Sequence, residues 1–415
     1  MCNLDWLPGL RSFVLGQLVQ LLLGLAHAET GGFTCGRAED ERQRILSCAD
    51  FHGDWSHAIQ HLAALGIAKD GKWVGGDATF VYTGDIVDRG DAGKALWELM
   101  FSLQDQAPAA GGRVFLLLGN HELMNLQGDL RYVSAADFAA YGGRRKHAEA
   151  WAPSGEMGAQ LRRRIRGAVR VADVLYVHAG LLPSIVSDFA PGVSGDEAVS
   201  AINARIAALL SGDAASTARS QSALLGDEGP FWTRTLALGT EGQACPLLAK
   251  TLQILQARRM IVGHTPQQDG SISLRCGGRL VLADTFMSQA YTRSAEASIH
   301  NEAAVEFYGD SSSAAAVYPQ RKHNSCVPLP LAAEFAGTSS LNMRLRGGTT
   351  AAANHTVRPP VSIDEGFIQS VNSTSRTASF LALALFAACF MKSSLLLKRV
   401  LGGSPKLILH RSSCD

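Results

Sequence analysis

Three kinds of signal are scarce in this chain. An excess of charge of one sign is missing: 38 Lys and Arg against 37 Asp and Glu leave a formal net charge of +1 over 415 residues. Nothing in that balance predicts a nucleic-acid partner. Cysteine is sparse, since eight in the whole chain make no disulfide scaffold, and no two stand close enough for a paired zinc knuckle. The apolar run FLALALFAACFM at 380–391 is too short to span a bilayer by itself. What the chain does have is a hydrophobic share of 47%, enough for a sizeable core.

The two ends differ from the middle. SFVLGQLVQLLLGLAHA ends on Ala26, His27 and Ala28, with small residues where a signal peptidase reads. This predicts a cleaved signal over 1–28 and a lead-in over 29–43, with a retained anchor or an organelle-targeting peptide as the alternatives. A secretory or extracytoplasmic location follows from the first reading. Cys35 can then pair, though spacing assigns it no partner. From 336 to 378 the chain turns to Gly, Thr, Ser and Asn without apolar periodicity, as a linker does. Two glycosylation sequons begin at Asn354 and Asn372 and matter only on the secretory route. The tail 379–415 is apolar and basic, with Lys392, Lys398 and Arg399; membrane association is one reading of it and a buried apolar segment the other.

Between these ends, apolar runs repeatedly stop at ligand-type side chains. RILSCA leads to Asp50 and His52, ATFVYTG to Asp85, RVFLLLG to Asn120, His121 and Glu122, VLYV to His178, and RRMIV to Gly263 and His264. One such end is weak, because a lone Asp before Gly is usually a turn and a lone His a solvated residue. Five together are different. A row of strands delivers its carboxyl-end residues to one crevice, and oxygen and imidazole donors without thiolates suit manganese, iron or zinc. About six donors are too many for one ion that keeps open positions, so two ions are expected.

In order, ADFHGD (49–54), GDIVDRG (84–90), GNHE (119–122), VHAG (177–180) and VGHT (262–265) resemble the motifs of the phosphoprotein phosphatases within the calcineurin-like metallophosphoesterase superfamily. GNHELMNLQGDLRYV and GPFWTR are most similar to the Shewanella-like branch. The resemblance runs over roughly residues 44 to 300. It implies an α/β fold of two facing mixed β-sheets flanked by helices, with helical insertions, in a domain expected over 44–335. Position by position it implies two divalent or mixed-valence ions, the first held by Asp50, His52 and Asp85. Asp85 would bridge to a second ion held by Asn120, His178 and His264.

The resemblance also implies a metal-bridging hydroxide that attacks a phosphomonoester directly. His121 would protonate the leaving oxygen with Asp88 orienting it, and Arg89 and Arg234 would clamp phosphate. Glu122 supports the site or makes only local hydrogen bonds. Asp91 is an ordinary polar residue, and Asp284 has no assigned role. Two positions depart from the pattern, Ala49 before the first aspartate and Ala179 after His178. Ala49 is tolerable if its backbone angles are ordinary, and Ala179 removes some flexibility beside His178. Residues 123–170 are long enough for a small helical cap, and the RRRIR run within it reads as a solvated helix face or as a steering surface for phosphate or an acidic partner. The expected substrate is a phosphoprotein or phosphopeptide. A small phosphate ester or dinucleotide polyphosphate is the alternative, and a phosphate-binding module without turnover is the reading from a different class.

Overall fold

The computed structural model of the chain describes residue 35 and residues 43–212, 218–291, 301–323 and 325–331. The expected signal, linker, sequons and C-terminal tail lie outside these. Among the described residues no helix is long and apolar enough to cross a membrane.

The chain lays down β1 (Arg44–Cys48), the small hairpin of β2 (Ala68–Lys69) and β3 (Lys72–Trp73), then β4 (Thr79–Tyr82) and β5 (Arg113–Leu116). β1, β4 and β5 pair in parallel, so each connection must cross over. The helices Trp55–Ala64 and Gly93–Gln106 make those crossings. A second sheet follows from β6 (Ala168–Val171), β7 (Val174–Val177), β8 (Arg259–Val262), β9 (Ser273–Arg275) and β10 (Leu280–Leu282). Its order is β6-β7-β8-β10-β9, with β7, β8 and β10 parallel. The chain then returns to the first sheet through β11 (Ala304–Tyr308), β12 (Asp310–Val317) and β13 (Cys326–Pro328). That completes the order β13-β12-β11-β1-β4-β5. Two mixed sheets flanked by helices is the architecture expected from the sequence.

Why these strands read as unbroken apolar runs is visible in the packing. Ile45 and Val81 of the first sheet share a core with Val174, Tyr176, Ile261 and Val281 of the second. Their neighbours Leu46, Phe80 and Tyr82 instead join a core with the helix residues Leu62, Trp97 and Met100. Alternate side chains thus enter opposite cores and both faces are buried, which removes the polar half of the alternation. Each such side chain contributes about 1.5–3 kcal/mol relative to exposure. At one edge the sheets touch through the backbone: Leu118 N donates to Arg166 O at 2.9 Å and Arg166 N to Leu116 O at 3.0 Å.

The stretch between β5 and β6 forms four short helices, Asn120–Leu126, Ala135–Ala140, Arg144–Trp151 and Glu156–Arg164. Asp137 in the second of them accepts from Lys94 N at 3.1 Å, at the start of a helix whose own N-cap residue, Ala92, has no side-chain acceptor. An orphan helix donor is satisfied from another part of the chain. The sparse cysteines do pair: Cys35 with Cys326 and Cys245 with Cys276. Cys48 remains a buried thiol.

His61 illustrates how the helix Trp55–Ala64 is seated. Its ring is fully buried, packs edge-on to Phe51 at 6.4 Å and has Nε2 at 3.2 Å from Ala303 O. Burial lowers its pKa from 6.5 to about 4. A histidine held neutral when folded contributes its full stability above its unfolded pKa and loses it as pH falls towards the folded one. Between pH 6.5 and pH 4 the fold is therefore expected to lose about 3 kcal/mol through this residue. Urea denaturation across that range should show a shallower pH dependence in His61→Leu.

Candidate metal centre

The carboxyl ends of β1 and β4 are laced together beyond the last paired residues of the sheet. Asp50 N donates to Gly84 O at 3.1 Å, His52 N to Asp85 O at 3.0 Å and Gly53 N to Ile86 O at 2.6 Å. Eleven described non-glycine residues take positive φ, and six of them are Asp50, His52, Asp85, Asp88, Arg89 and His264. Left-handed backbone costs a non-glycine residue roughly 1–3 kcal/mol and collects where side chains must be aimed. At Gly84 a side chain has no room, because a Cβ would lie 2.7 Å from Gly119 N and 2.9 Å from the His178 ring. Ala49 and Ala179 are not among the positive-φ residues, so both departures from the motif keep ordinary backbone.

Each of three imidazoles spends one nitrogen on a backbone carbonyl. His52 Nδ1 lies 3.1 Å from Val87 O, His178 Nδ1 2.9 Å from Thr83 O and His264 Nε2 3.0 Å from Trp232 O. Such a bond fixes the tautomer and leaves the other nitrogen as a lone-pair donor, the arrangement seen in metal-binding histidines. Those second nitrogens converge. His178 Nε2 is 3.4 Å from Asp85 Oδ2 and His52 Nε2 is 3.7 Å from the same oxygen. Asn120 Oδ1 lies 2.9 Å from His178 Nε2 and 2.8 Å from His264 Nδ1.

The donor atoms fall into two compact groups, His52 with Asp85 and His121, and Asp85 with His178 and His264, each spanning no more than 4.8 Å. Asp85 belongs to both. Asp50 stands beside the first group, 4.0 Å from His52 Nε2, with both oxygens accepting from His264 N at 3.2 and 3.3 Å. His121 is bonded differently from the other three rings. Its Nδ1 lies 2.7 Å from a carboxylate, Asp88 Oδ2, and Asn125 Nδ2 holds the other oxygen of Asp88 at 2.9 Å.

The two arginines flank this cluster. Arg234 Nη1 donates to His264 O and to Thr265 Oγ1, both at 3.0 Å. Arg89 is exposed, its guanidinium between the rings of Tyr132 and Tyr291 at 4.9 and 4.7 Å. Asp91 is exposed.

A family model for calcineurin-like phosphoesterases matches residues 43–217. An uncharacterised protein of Schizosaccharomyces pombe is 34% identical over 259 residues, covering 60% of this chain and 74% of that protein. The chain belongs to the calcineurin-like phosphoesterases. Shewanella-like protein phosphatase 1 of Plasmodium berghei is 27% identical over 256 residues, 59% of this phosphoesterase and 67% of that protein. Among solved structures, a cold-active protein-tyrosine phosphatase of a psychrophilic Shewanella superposes with a TM-score of 0.55 at 25% identity. That likeness covers 69% of this chain and 80% of the other.

Within the phosphoesterase, charge argues for cations as strongly as geometry does. Asp50, Asp85, Glu122 and Asp284 are buried together, and none is ion-paired with Lys or Arg among the described residues. Burial, then the charges of Asp284 and Asp85, push Asp50 well above the usual carboxylate range. Burial and Asp85 raise Glu122 to about 7, and burial raises Asp284 to about 6. Asp85 goes the other way: burial would raise it, but the imidazoles of His178, His121 and His52 outweigh burial and hold it well below the ordinary value. Burial, His178 and Arg234 lower His264 to about 3, keeping the ring in the neutral form that binds metal. Bound divalent ions would reverse the repulsion among the carboxylates. Family and donor set together support metal-dependent phosphoester hydrolysis.

Several contributors were hidden from sequence reasoning. The carbonyls of Thr83, Val87 and Trp232 carry no side-chain signal. Asn125 follows His121 by four residues in the helix Asn120–Leu126, a spacing that could have suggested its bond to the His121 carbonyl. Tyr291 lies 2.5 Å from His52 Nε2 through its hydroxyl and stacks on Phe286 at 4.5 Å. Glu122 is a buried hub. Its Oε2 accepts from Asp85 N at 2.8 Å and Gly119 N at 3.0 Å, and its Oε1 from Ile86 N at 2.8 Å and Val87 N at 3.2 Å.

Glu122→Gln would turn an amide NH2 towards two of those donors and leave them unpaired. A loss of about 2–4 kcal/mol in unfolding free energy is expected. Equilibrium urea denaturation measures it, and an unchanged midpoint would remove Glu122 from its central place.

Proposed function

We propose that this phosphoesterase is a dinuclear metal-dependent phosphoprotein phosphatase of the Shewanella-like type. The observation that carries the reading is Asp85 Oδ2, which serves both donor groups at 3.7 Å from His52 Nε2 and 3.4 Å from His178 Nε2. His52, Asp85 and Asp50 would hold one ion, and Asp85, Asn120, His178 and His264 the other. Two divalent ions there would supply charge neutralisation and acidify an attacking water.

The remaining work falls to the chain itself. Arg89 and Arg234 offer directed N–H donors to the phosphate oxygens. The two tyrosine rings keep the Arg89 guanidinium flat and aimed. His121 presents Nε2 towards the site while Nδ1 faces Asp88, a geometry suited to giving a proton to the departing oxygen. Asn125 restrains the Asp88 carboxylate, so the imidazole is oriented from two steps away.

An aromatic leaving group suits the surroundings of the two arginines. Tyr132 and Tyr291 lie against the Arg89 guanidinium, Phe286 stacks on Tyr291 and Trp232 stands edge-on to His264, and a flat ring packs against such side chains better than the short chain of phosphoserine does. The description of the Shewanella enzyme as a protein-tyrosine phosphatase points the same way. We extend the proposal to a catalytic domain over 44–335 on the secretory route, between a signal and an apolar, basic tail. The disulfides Cys35–Cys326 and Cys245–Cys276 support an oxidising compartment.

Asp85→Asn should abolish most turnover and lower bound metal by elemental analysis; near-normal rate with unchanged metal would defeat the bridging role. His121→Asn should keep its metal and lose about 10²–10⁴-fold in kcat, most severely for substrates with poor leaving groups. Equal losses across leaving groups would end the proton-donor assignment. In a peptide panel phosphotyrosyl substrates should exceed phosphoseryl ones in kcat/KM, and a dinucleotide polyphosphate hydrolysed faster than either would overturn the substrate class.

A further inference from the structure

Five arginines stand between residues 162 and 170, and they divide by partner. Arg164 pairs with Asp105 at 2.8 and 3.0 Å, and Arg170 with Asp196 at 2.8 and 2.9 Å. Arg163 is exposed. Arg162, which is half-buried, and Arg166, which is exposed, both line a cavity of about 300 Å3 between the helices Glu156–Arg164 and Gly195–Leu210.

The guanidinium contacts there are all to neutral carbonyls. Arg162 donates from Nε to Leu210 O at 2.7 Å and from Nη1 to Gly158 O at 3.0 Å. Arg166 Nη1 donates to Ile165 O at 3.1 Å. Neither arginine pairs with a carboxylate among the described residues. Partial burial lowers the Arg162 pKa, and no acidic neighbour offsets it. A cation taken partly out of water without a counter-charge is a cost that a bound anion would relieve.

Apolar side chains supply one wall of the cavity: Leu118, Ile165, Ile206 and Leu210, with the Ser200 side chain and the Asn203 amide also in its lining. The amide of Asn203 is already engaged by Gly167 N, Ala168 N and Ala168 O, which makes it part of the frame. Two fork-shaped donors beside an apolar wall in a cavity of this size match a short molecule with one anionic head. One lining residue leads to the metal centre: Leu118 precedes Gly119 and Asn120, and its N–H bonds to Arg166 O at 2.9 Å.

We propose that the cavity bounded by Arg162, Arg166, Leu118 and Leu210 is a second ligand site, separate from the metal centre, that binds a small carboxylate with an apolar body. The inference rests on the cavity alone and does not depend on the substrate class given above.

Isothermal titration of octanoate into the metal-loaded full chain tests it. Saturable one-site binding is expected, with 1-octanol and acetate each at least about tenfold weaker, since the site needs both charge and apolar contact. Arg162→Gln with Arg166→Gln should weaken octanoate at least about tenfold, the scale of losing charge-assisted hydrogen bonds. Because Arg162 also ties two backbone carbonyls, Ala207→Trp provides an independent variant. Ala207 is an exposed residue on the cavity rim, and its enlargement should block octanoate while leaving phosphopeptide turnover and melting temperature unchanged. Absent saturable binding, octanol binding as tightly as octanoate, or octanoate binding that survives Ala207→Trp would each overturn the proposal.

Discussion

A single buried carboxylate fixes where everything else in the centre can stand. Glu122 gathers the N–H groups of Asp85, Ile86, Val87 and Gly119, binding the turn after β4 to the start of the helix that follows β5. Asp85 Oδ1 then accepts from His121 N at 3.0 Å, closing the same junction from the other side. With its backbone and one oxygen committed, Asp85 can point its remaining oxygen only towards the imidazoles. The orientation of His121 depends on the same junction, because Asp88 leaves the turn only three residues later.

The strain in this region has a division of labour behind it. Sheet pairing on both sides and two apolar cores hold β1, β4, β7 and β8 in register, and that rigidity lets the residues beyond them adopt unfavourable backbone. Each left-handed residue is over-determined by a ladder bond or a side-chain contact, so the local cost is met by the surrounding fold. The imidazoles are preorganised in the same way, those of His52, His178 and His264 each by a carbonyl from a neighbouring loop and that of His121 by the Asp88 carboxylate. Little rearrangement is then required when charge enters the site.

The sequence was most legible where one residue answers to one cause. Apolar runs ending in Asp, His or Asn revealed the strands and their donor ends, because a strand buried on both faces is written as an uninterrupted run. β12 was not legible, since DSSSAAAV is small and polar and becomes a strand only between β11 and β13. Tyr132 and Tyr291 meet across Arg89 from points more than a hundred residues apart, which no local pattern records. The disulfides escaped for the same reason: spacing cannot say which cysteines the sheets bring together. The RRRIR run could be read only as charge, and which arginines lack acidic partners is a property of the packed helices.

One of those disulfides changes what kind of object the domain is. Cys35 and Cys326 are 291 residues apart, so the bond joins the lead-in to the last strand and closes nearly the whole catalytic region into a covalent ring. In the chain-entropy account such a closure stabilises by about 6 kcal/mol, acting on the unfolded ensemble. The ring also alters the topology of damage. A single backbone cut in any loop between the two cysteines opens the circle without releasing a fragment, and the two new ends stay tethered through the bridge. Cleavage would then read out as a circularly permuted domain of undiminished mass, apart from the water added at the cut, until a reductant separates the pieces.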